Sequence, residues 1–200
     1  MYMYIFILIV SLIIGKVLNK IIDNISNSIS KCNKKAFGTY IHIICVAVFE
    51  ILFFKFGLTI IFSKAIAMTT ILIIISFVDL QHRIIPDFIV AAALVMGIVF
   101  SLFVRTSFLD TILGMIAGGG ILLLLSFIPN AMGGGDIKLM FAIGAFLGLN
   151  KTLWALLLAF LLASIISLGL IFSKIKDAKD YIPFGPFLAL GSFISIIIFE

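Results

Sequence analysis

Long apolar runs, broken by charged residues, glycine or proline, divide the 200-residue chain into about eight segments. A helix needs about 20 mostly apolar residues to cross a bilayer, and most of the runs approach that length. The pattern therefore predicts eight membrane helices and a polar, basic loop at 19–35. We expect helices near 2–18, 40–54, 58–78, 87–104, 108–128, 137–149, 152–172 and 183–199.

Composition strengthens the prediction of an all-α polytopic membrane protein. Hydrophobic residues make up 64% of the chain and charged residues 12%, whereas soluble domains are about 45–50% apolar and about 25% charged. The excess apolar surface must face lipid, which excludes a soluble globule. A net charge of +5 is compatible with nucleic-acid binding, but the 21 Phe lie within apolar runs and not among clustered basic residues. We expect no nucleic-acid partner.

The positions of Lys and Arg predict the orientation, because cytoplasmic loops carry an excess of them. With eight spans and an external N-terminus, ten of these residues fall on the cytoplasmic side, and Lys55, Lys64, Arg105 and Lys151 fall on or near the other. No positive residue precedes the first apolar run, so we interpret it as a retained span and not as a cleaved signal peptide.

Cysteine and glycine spacings add little chemistry. Cys32 and Cys45 form neither a disulfide framework nor a C-x-x-C metal pair, and we expect two unpaired thiols. Small residues spaced four apart would let the fifth and sixth helices approach neighbouring helices closely; the pairs are Gly114 with Gly118 and Gly144 with Gly148.

Two of the nine acidic residues stand out by position. Asp79 ends the apolar run ILIIISFVD, and Asp136 ends MGGGD just before the sixth run. The predicted topology places both at the cytoplasmic face. The other acids have simpler interpretations: Glu50 has a packing or a functional role, Asp87 after Pro86 favours a helix N-terminus, and loop or terminal positions are expected for Asp23, Asp110, Asp177, Asp180 and Glu200.

Paired carboxyls at a membrane face suit peptide hydrolysis. Two carboxylates that lie close together cannot both ionise easily, so the pair holds one proton. The ionised member deprotonates water as it attacks the carbonyl, and the protonated member polarises the carbonyl oxygen. Gly133, Gly134 and Gly135 would let an extended substrate lie beside Asp136, because glycine allows close approach and unusual backbone angles.

Three ordered motifs resemble those of the bacterial prepilin peptidases, membrane aspartic proteases of the GxGD class. VDLQHRIIPD at 78–87 is similar to the family's first catalytic segment, GGGDIKLM at 133–140 to its second, and IPFGPFLALG at 182–191 to its C-terminal signature. The resemblance covers the chain from about residue 58, which suggests N-terminal spans with a short basic loop at 1–57 and a peptidase core at 58–200. A weaker similarity lies at 15–26.

The resemblance implies roles for particular residues. Asp79 and Asp136 would be catalytic, and Gly133 and Gly135 would be the motif glycines. Lys138 would assist local charge or substrate. Pro86 with Asp87 would complete the first motif, and the segment containing Pro183, Gly185 and Pro186 would line or brace the site, although the two prolines equally suit a bend at a helix start.

The resemblance also implies a substrate and a place in the cell. The substrate would be a type IV prepilin, pseudopilin or competence-pilin precursor, cut after a glycine at the cytoplasmic face of a bacterial cell membrane, in pilus assembly, protein secretion or competence. Long family members carry a zinc-binding insertion with two C-x-x-C pairs, which this shorter loop lacks. S-adenosylmethionine would be a cofactor only if the family's N-methyltransferase activity is retained, and proteolysis needs none.

Two other classes of function remain open. Acids within a membrane also mark proton- or cation-coupled transporters, and an inactive scaffold for pilus assembly is a third possibility. Both acids are predicted at one face, whereas a relay needs acids near the midplane. That placement favours the peptidase over the transporter, and the complete acid pair argues against the scaffold.

Overall fold

Eight α-helices form the described part of a computed structural model, which covers residues 2–29, 38–104, 107–129, 132–174 and 182–200 and contains no strand in those ranges. They are α1 (Tyr2–Ile29), α2 (Gly38–Phe56), α3 (Ile60–His82), α4 (Asp87–Phe103), α5 (Phe108–Ser126), α6 (Gly134–Leu147), α7 (Leu149–Phe172) and α8 (Gly185–Phe199). The all-α prediction is confirmed. The predictions for Cys32, Arg105, Asp177 and Asp180 concern residues outside the described ranges.

Five helices are long and apolar enough to cross a membrane, namely α1, α2, α3, α5 and α7. The helices α4 and α8 are apolar but shorter. Large side chains on the outside are widely exposed, including Phe54, Phe127 and Phe172 at 78–82%. Such a surface is compatible with lipid and not with water, which supports a multi-pass membrane protein.

The first helix is longer than the sequence predicted. We expected a polar loop from residue 19, but α1 continues to Ile29. Leu18, Ile22 and Ile25 recur at helical spacing and are buried on one face. Tertiary packing of that stripe therefore outweighs the polar residues between them. The predicted basic loop is correspondingly shorter, and the rest of it lies outside the described residues.

The fifth and sixth helices do approach neighbours closely, as the glycine spacing predicted, and the structure shows that they pack against each other. A Cβ atom on Gly114 would lie 2.6 Å from the Gly144 carbonyl oxygen, and one on Gly118 would lie 2.6 Å from the Met140 carbonyl oxygen. Only glycine allows the two backbones to approach so closely. The contact fixes α6, which α4 also packs against, and α6 carries Asp136 in its first turn.

Polar contacts join α3 and α8 at both ends. Lys64, fully buried near the start of α3, lies 3.1 Å from Glu200, which also pairs with Lys151. At the opposite end the Gly185 N–H donates a hydrogen bond to Asp79. Glu200 is therefore more than a terminal charge, because it is buried and two lysines compensate its burial. These contacts set the register of α3 against α8.

Asp110 is also more than a loop charge. It lies in the first turn of α5, and its Oδ1 accepts a hydrogen bond of 3.0 Å from the Leu149 N–H at the start of α7. The carboxylate thus satisfies a backbone donor at a helix N-terminus, and it joins two helices in place of facing solvent.

Candidate active site

Asp79 lies in the last turn of α3, beside a sharp corner of the chain. Arg83 follows the helix in the left-handed conformation, with φ 57° and ψ 34°, and its N–H donates to the Asp79 carbonyl oxygen at 2.8 Å. The chain then passes through Ile84 and Ile85 to Pro86, where α4 begins. This corner keeps the Asp79 side chain inside the bundle, where the residue is 3% exposed.

Asp136 lies in the first turn of α6 and is 4% exposed. The sequence pattern placed it just before the sixth helix, but α6 begins two residues earlier, at Gly134. A carboxylate in the first turn of a helix interacts favourably with the positive end of the helix dipole. Because α6 starts earlier than predicted, Asp136 lies within a helix and not in the loop before it.

The corner and the start of α6 bring the two acids together. Asp79 and Asp136 both line one cavity of about 250 Å³, together with Arg83, Ile84, Ile85, Asp87 and the glycines 133–135. Residues 57 positions apart in the chain thus contribute carboxyl groups to one small, partly polar space. This juxtaposition is the main feature of the site.

The glycine run permits close approach but needs no unusual backbone angles. Gly133 is extended, with φ −80° and ψ 143°, while Gly134 and Gly135 are helical. A Cβ on Gly135 would lie 3.0 Å from the Ile85 Cβ, so the missing side chain lets the corner pack against α6. A Cβ on Gly134 would meet nothing within 4 Å, so the cavity is open at that point.

The surroundings of the two carboxyls differ. The pKa of Asp136 is raised to about 6, mainly by burial and also by the nearby Asp79 carboxylate, while a backbone hydrogen bond from Gly133 opposes the rise. Asp79 accepts a 3.0 Å hydrogen bond from the Gly185 N–H at the start of α8, which stabilises its ionised form. The two carboxyls therefore differ in environment: the Gly185 donor favours the ionised form at Asp79, and burial favours the protonated form at Asp136.

The other predicted site residues divide into three groups. Gly185 reaches the site, where a Cβ would lie 2.7 Å from Asp79 Oδ2. Lys138 pairs with Asp87 at 2.8 Å, next to the cavity. The prolines lie at helix starts: Pro86 caps α4, Pro186 stands in the first turn of α8, and Pro183 is buried just before α8.

Sequence reasoning missed Arg83 and a contact that holds the last turn of α3 against α1. Arg83 lines the cavity, although we had counted it only as an orientation signal. Ser26 at the end of α1 contacts His82 Nε2 at 2.5 Å and Gln81 Oε1 at 2.9 Å, which ties α1 to the last turn of α3. The weak motif at 15–26 was the signal that pointed to this region.

Glu50 and Cys45 lie away from the cavity. Glu50 Oε1 is buried in α2 and has no hydrogen-bond partner among the described residues. Cys45 is a buried free thiol, as predicted. Within the described ranges no three His, Cys, Asp or Glu side chains are grouped closely enough to hold a metal ion.

Comparison with known proteins gives a family match over half of the chain. The model of the type IV leader peptidase family matches residues 66–168, a range that contains both Asp79 and Asp136. No solved structure matches the chain.

Several characterised relatives are named prepilin leader peptidase/N-methyltransferase. The protein of Aeromonas hydrophila is 33% identical over 66% of this chain and 48% of its own length. That of Legionella pneumophila is 34% identical over 70% and 52%, and that of Pseudomonas aeruginosa is 29% identical over 71% and 51%. The matched region spans about half the length of these relatives.

Proposed function

We propose that this chain, which belongs to the type IV leader peptidase family, is an aspartic endopeptidase that removes the leader peptides of type IV prepilins or pseudopilins. The observation that carries the proposal is the convergence of Asp79 and Asp136 in one buried cavity. The names of the relatives supply the substrate class.

The unequal surroundings of the two acids suggest separate roles. Asp79 acts as the base and takes a proton from water while the water oxygen attacks the scissile carbonyl carbon. Asp136 gives its proton to the carbonyl oxygen, which produces a neutral tetrahedral intermediate. Asp79 then passes its proton to the leaving nitrogen as the C–N bond breaks, and Asp136 recovers a proton from the intermediate's hydroxyl. Both carboxyls return to their starting states.

The positions of both acids near helix ends support the proposal that this chemistry takes place at one face of the membrane. Asp79 lies three residues from the end of α3, and Asp136 is the third residue of α6. With the orientation deduced from Lys and Arg, this is the cytoplasmic face of a bacterial cell membrane. A proton relay through the bilayer would need acids near the midplane, so the placement favours proteolysis over transport.

N-methylation of the product does not follow from this cavity. S-adenosylmethionine carries an adenine ring, which proteins commonly hold against apolar or aromatic surfaces. The cavity has a volume of about 250 Å³, and none of its lining residues is aromatic. We therefore propose no cofactor role for this cavity and assign it to proteolysis.

Co-expression with a prepilin tests the proposal. We expect a shorter product whose new N-terminus lies at the leader junction, detected by gel mobility and mass spectrometry. A chain with both acids replaced, Asp79→Asn with Asp136→Asn, serves as the matched control and should leave the precursor intact. If the wild-type protein also leaves several prepilins at full length, the proposed activity is wrong.

A further inference from the structure

A second cavity lies beside the acids, between α4, α5 and α6. Its volume is about 650 Å³, within the range of about 300–1,000 Å³ that is typical of ligand sites. The walls are mostly apolar, with Leu94 on α4, Ile116 and Leu123 on α5, and Phe141 on α6. We call this space the α4–α6 groove.

The groove adjoins the cavity that contains the acids. Asp87 lines both spaces. Ile137 and Lys138, which directly follow Asp136 on α6, line the groove. The ion pair of Asp87 and Lys138 is largely exposed, with side chains 72% and 58% accessible, and it marks the boundary between the polar cavity and the apolar groove.

Glycine on α5 keeps the groove open. A Cβ on Gly119 would lie 3.0 Å from Phe141, so this glycine serves helix packing. The next residue, Gly120, lines the groove, and a Cβ there would meet nothing within 4 Å because it would point into open space. A large side chain at this position would therefore extend into the groove without disturbing the contact between α5 and α6.

We propose that the α4–α6 groove binds an apolar segment of the peptide substrate next to the scissile bond, and that Gly120 sets the size of the segment it accepts. The inference rests on the proposed peptidase function. Its occupant follows from continuity, because a peptide whose carbonyl reaches Asp136 continues past Asp87 and Lys138 into the groove. An apolar segment loses little by leaving lipid and gains close packing there, whereas a charged one would be poorly solvated.

The segment on the other side of the scissile bond remains in the polar cavity. The carboxyls and the Asp87–Lys138 pair can solvate backbone and polar side chains there. The site thus distinguishes substrates by a polar-to-apolar change at the cleavage point. This criterion selects junctions at a membrane surface over peptide bonds inside an apolar helix.

The test compares Gly120→Phe with Gly169→Phe, a matched control on α7 where a Cβ also meets nothing within 4 Å. Each purified protein receives a full prepilin in detergent micelles and a short peptide that keeps the scissile bond but carries polar residues in place of the apolar segment. For Gly120→Phe we expect kcat/KM to fall about tenfold or more on the prepilin, mainly through KM, and to equal wild type on the short peptide. Gly169→Phe should match wild type on both.

The outcomes separate this inference from the proposed function. Equal cleavage of prepilin by Gly120→Phe and wild type would show that the groove holds lipid and not substrate, while the peptidase assignment would stand. Equal losses on prepilin and short peptide would also overturn the inference, because the substitution would then act on the acids and not on the apolar segment. A wild-type protein that cleaves neither substrate contradicts both.

Discussion

Replacing either Asp79 or Asp136 with Asn is expected to lower the rate of prepilin cleavage about 1,000-fold or more, since acid–base groups that act as one unit each account for losses of that order. Asn has almost the same shape as Asp but neither accepts nor releases a proton at neutral pH. Its amide oxygen can still accept the Gly185 N–H hydrogen bond that Asp79 accepts. Single-turnover cleavage, measured with purified protein in excess, provides the rate.

An Asp→Asn substitution outside the cavity separates the loss of a catalytic group from the mere loss of a negative charge. Asp23 lies on α1 and is not among the residues that line the cavity of the acids. Asp23→Asn should therefore cleave at the wild-type rate, and all three variants should unfold at similar temperatures. Cleavage within a few-fold of wild type by either Asp79→Asn or Asp136→Asn would remove that residue from the catalytic pair.

Adding a single methyl group at Gly185 is expected to cost about 100-fold in kcat with little change in stability, because a displacement of about 1 Å in a catalytic group has an effect of that size. A Cβ there would lie 2.7 Å from Asp79 Oδ2 and 3.2 Å from Asp79 Cγ. These atoms end a short side chain that can rotate, so the carboxyl moves and the backbone does not. Steady-state kinetics of Gly185→Ala should show the loss in kcat and not in KM.

A methyl group in open space provides the comparison. Gly169→Ala on α7 adds the same group where nothing lies within 4 Å, and it should leave kcat unchanged. If Gly185→Ala were as active as Gly169→Ala, the contact between α8 and Asp79 would have no part in placing the carboxyl.

The sequence predicted best those elements whose signal is local. Apolar runs located all eight helices to within a few residues at most ends, and glycine spacing predicted that α5 and α6 approach neighbouring helices closely. The motifs pointed to Asp79 and Asp136 because carboxyls are rare in such a chain. The end of α1 was missed because the stripe of Leu18, Ile22 and Ile25 stabilises this part of the helix only when partner helices bury it.

Contacts between distant residues could not be predicted from the pattern. Nothing local shows that Gly185 donates to Asp79 or that Lys64 pairs with Glu200, because both contacts depend on the packing of α3 against α8. The role of Arg83 at the corner was hidden for a related reason. Arg83 reaches the cavity from the corner after α3, where Ile85 packs against Gly135.

The pH dependence of kcat/KM for the wild-type protein tests most directly whether Asp79 and Asp136 work as a pair that shares one proton. The proposed mechanism needs Asp136 protonated and Asp79 ionised, and the Asp136 pKa is raised to about 6 by burial and by Asp79. As pH rises through about 6, Asp136 loses its proton, so kcat/KM should fall about tenfold for each further pH unit. The apparent value belongs to the pair. A value of kcat/KM that stayed constant or increased as pH rose through this range, with the protein still folded, would contradict the account.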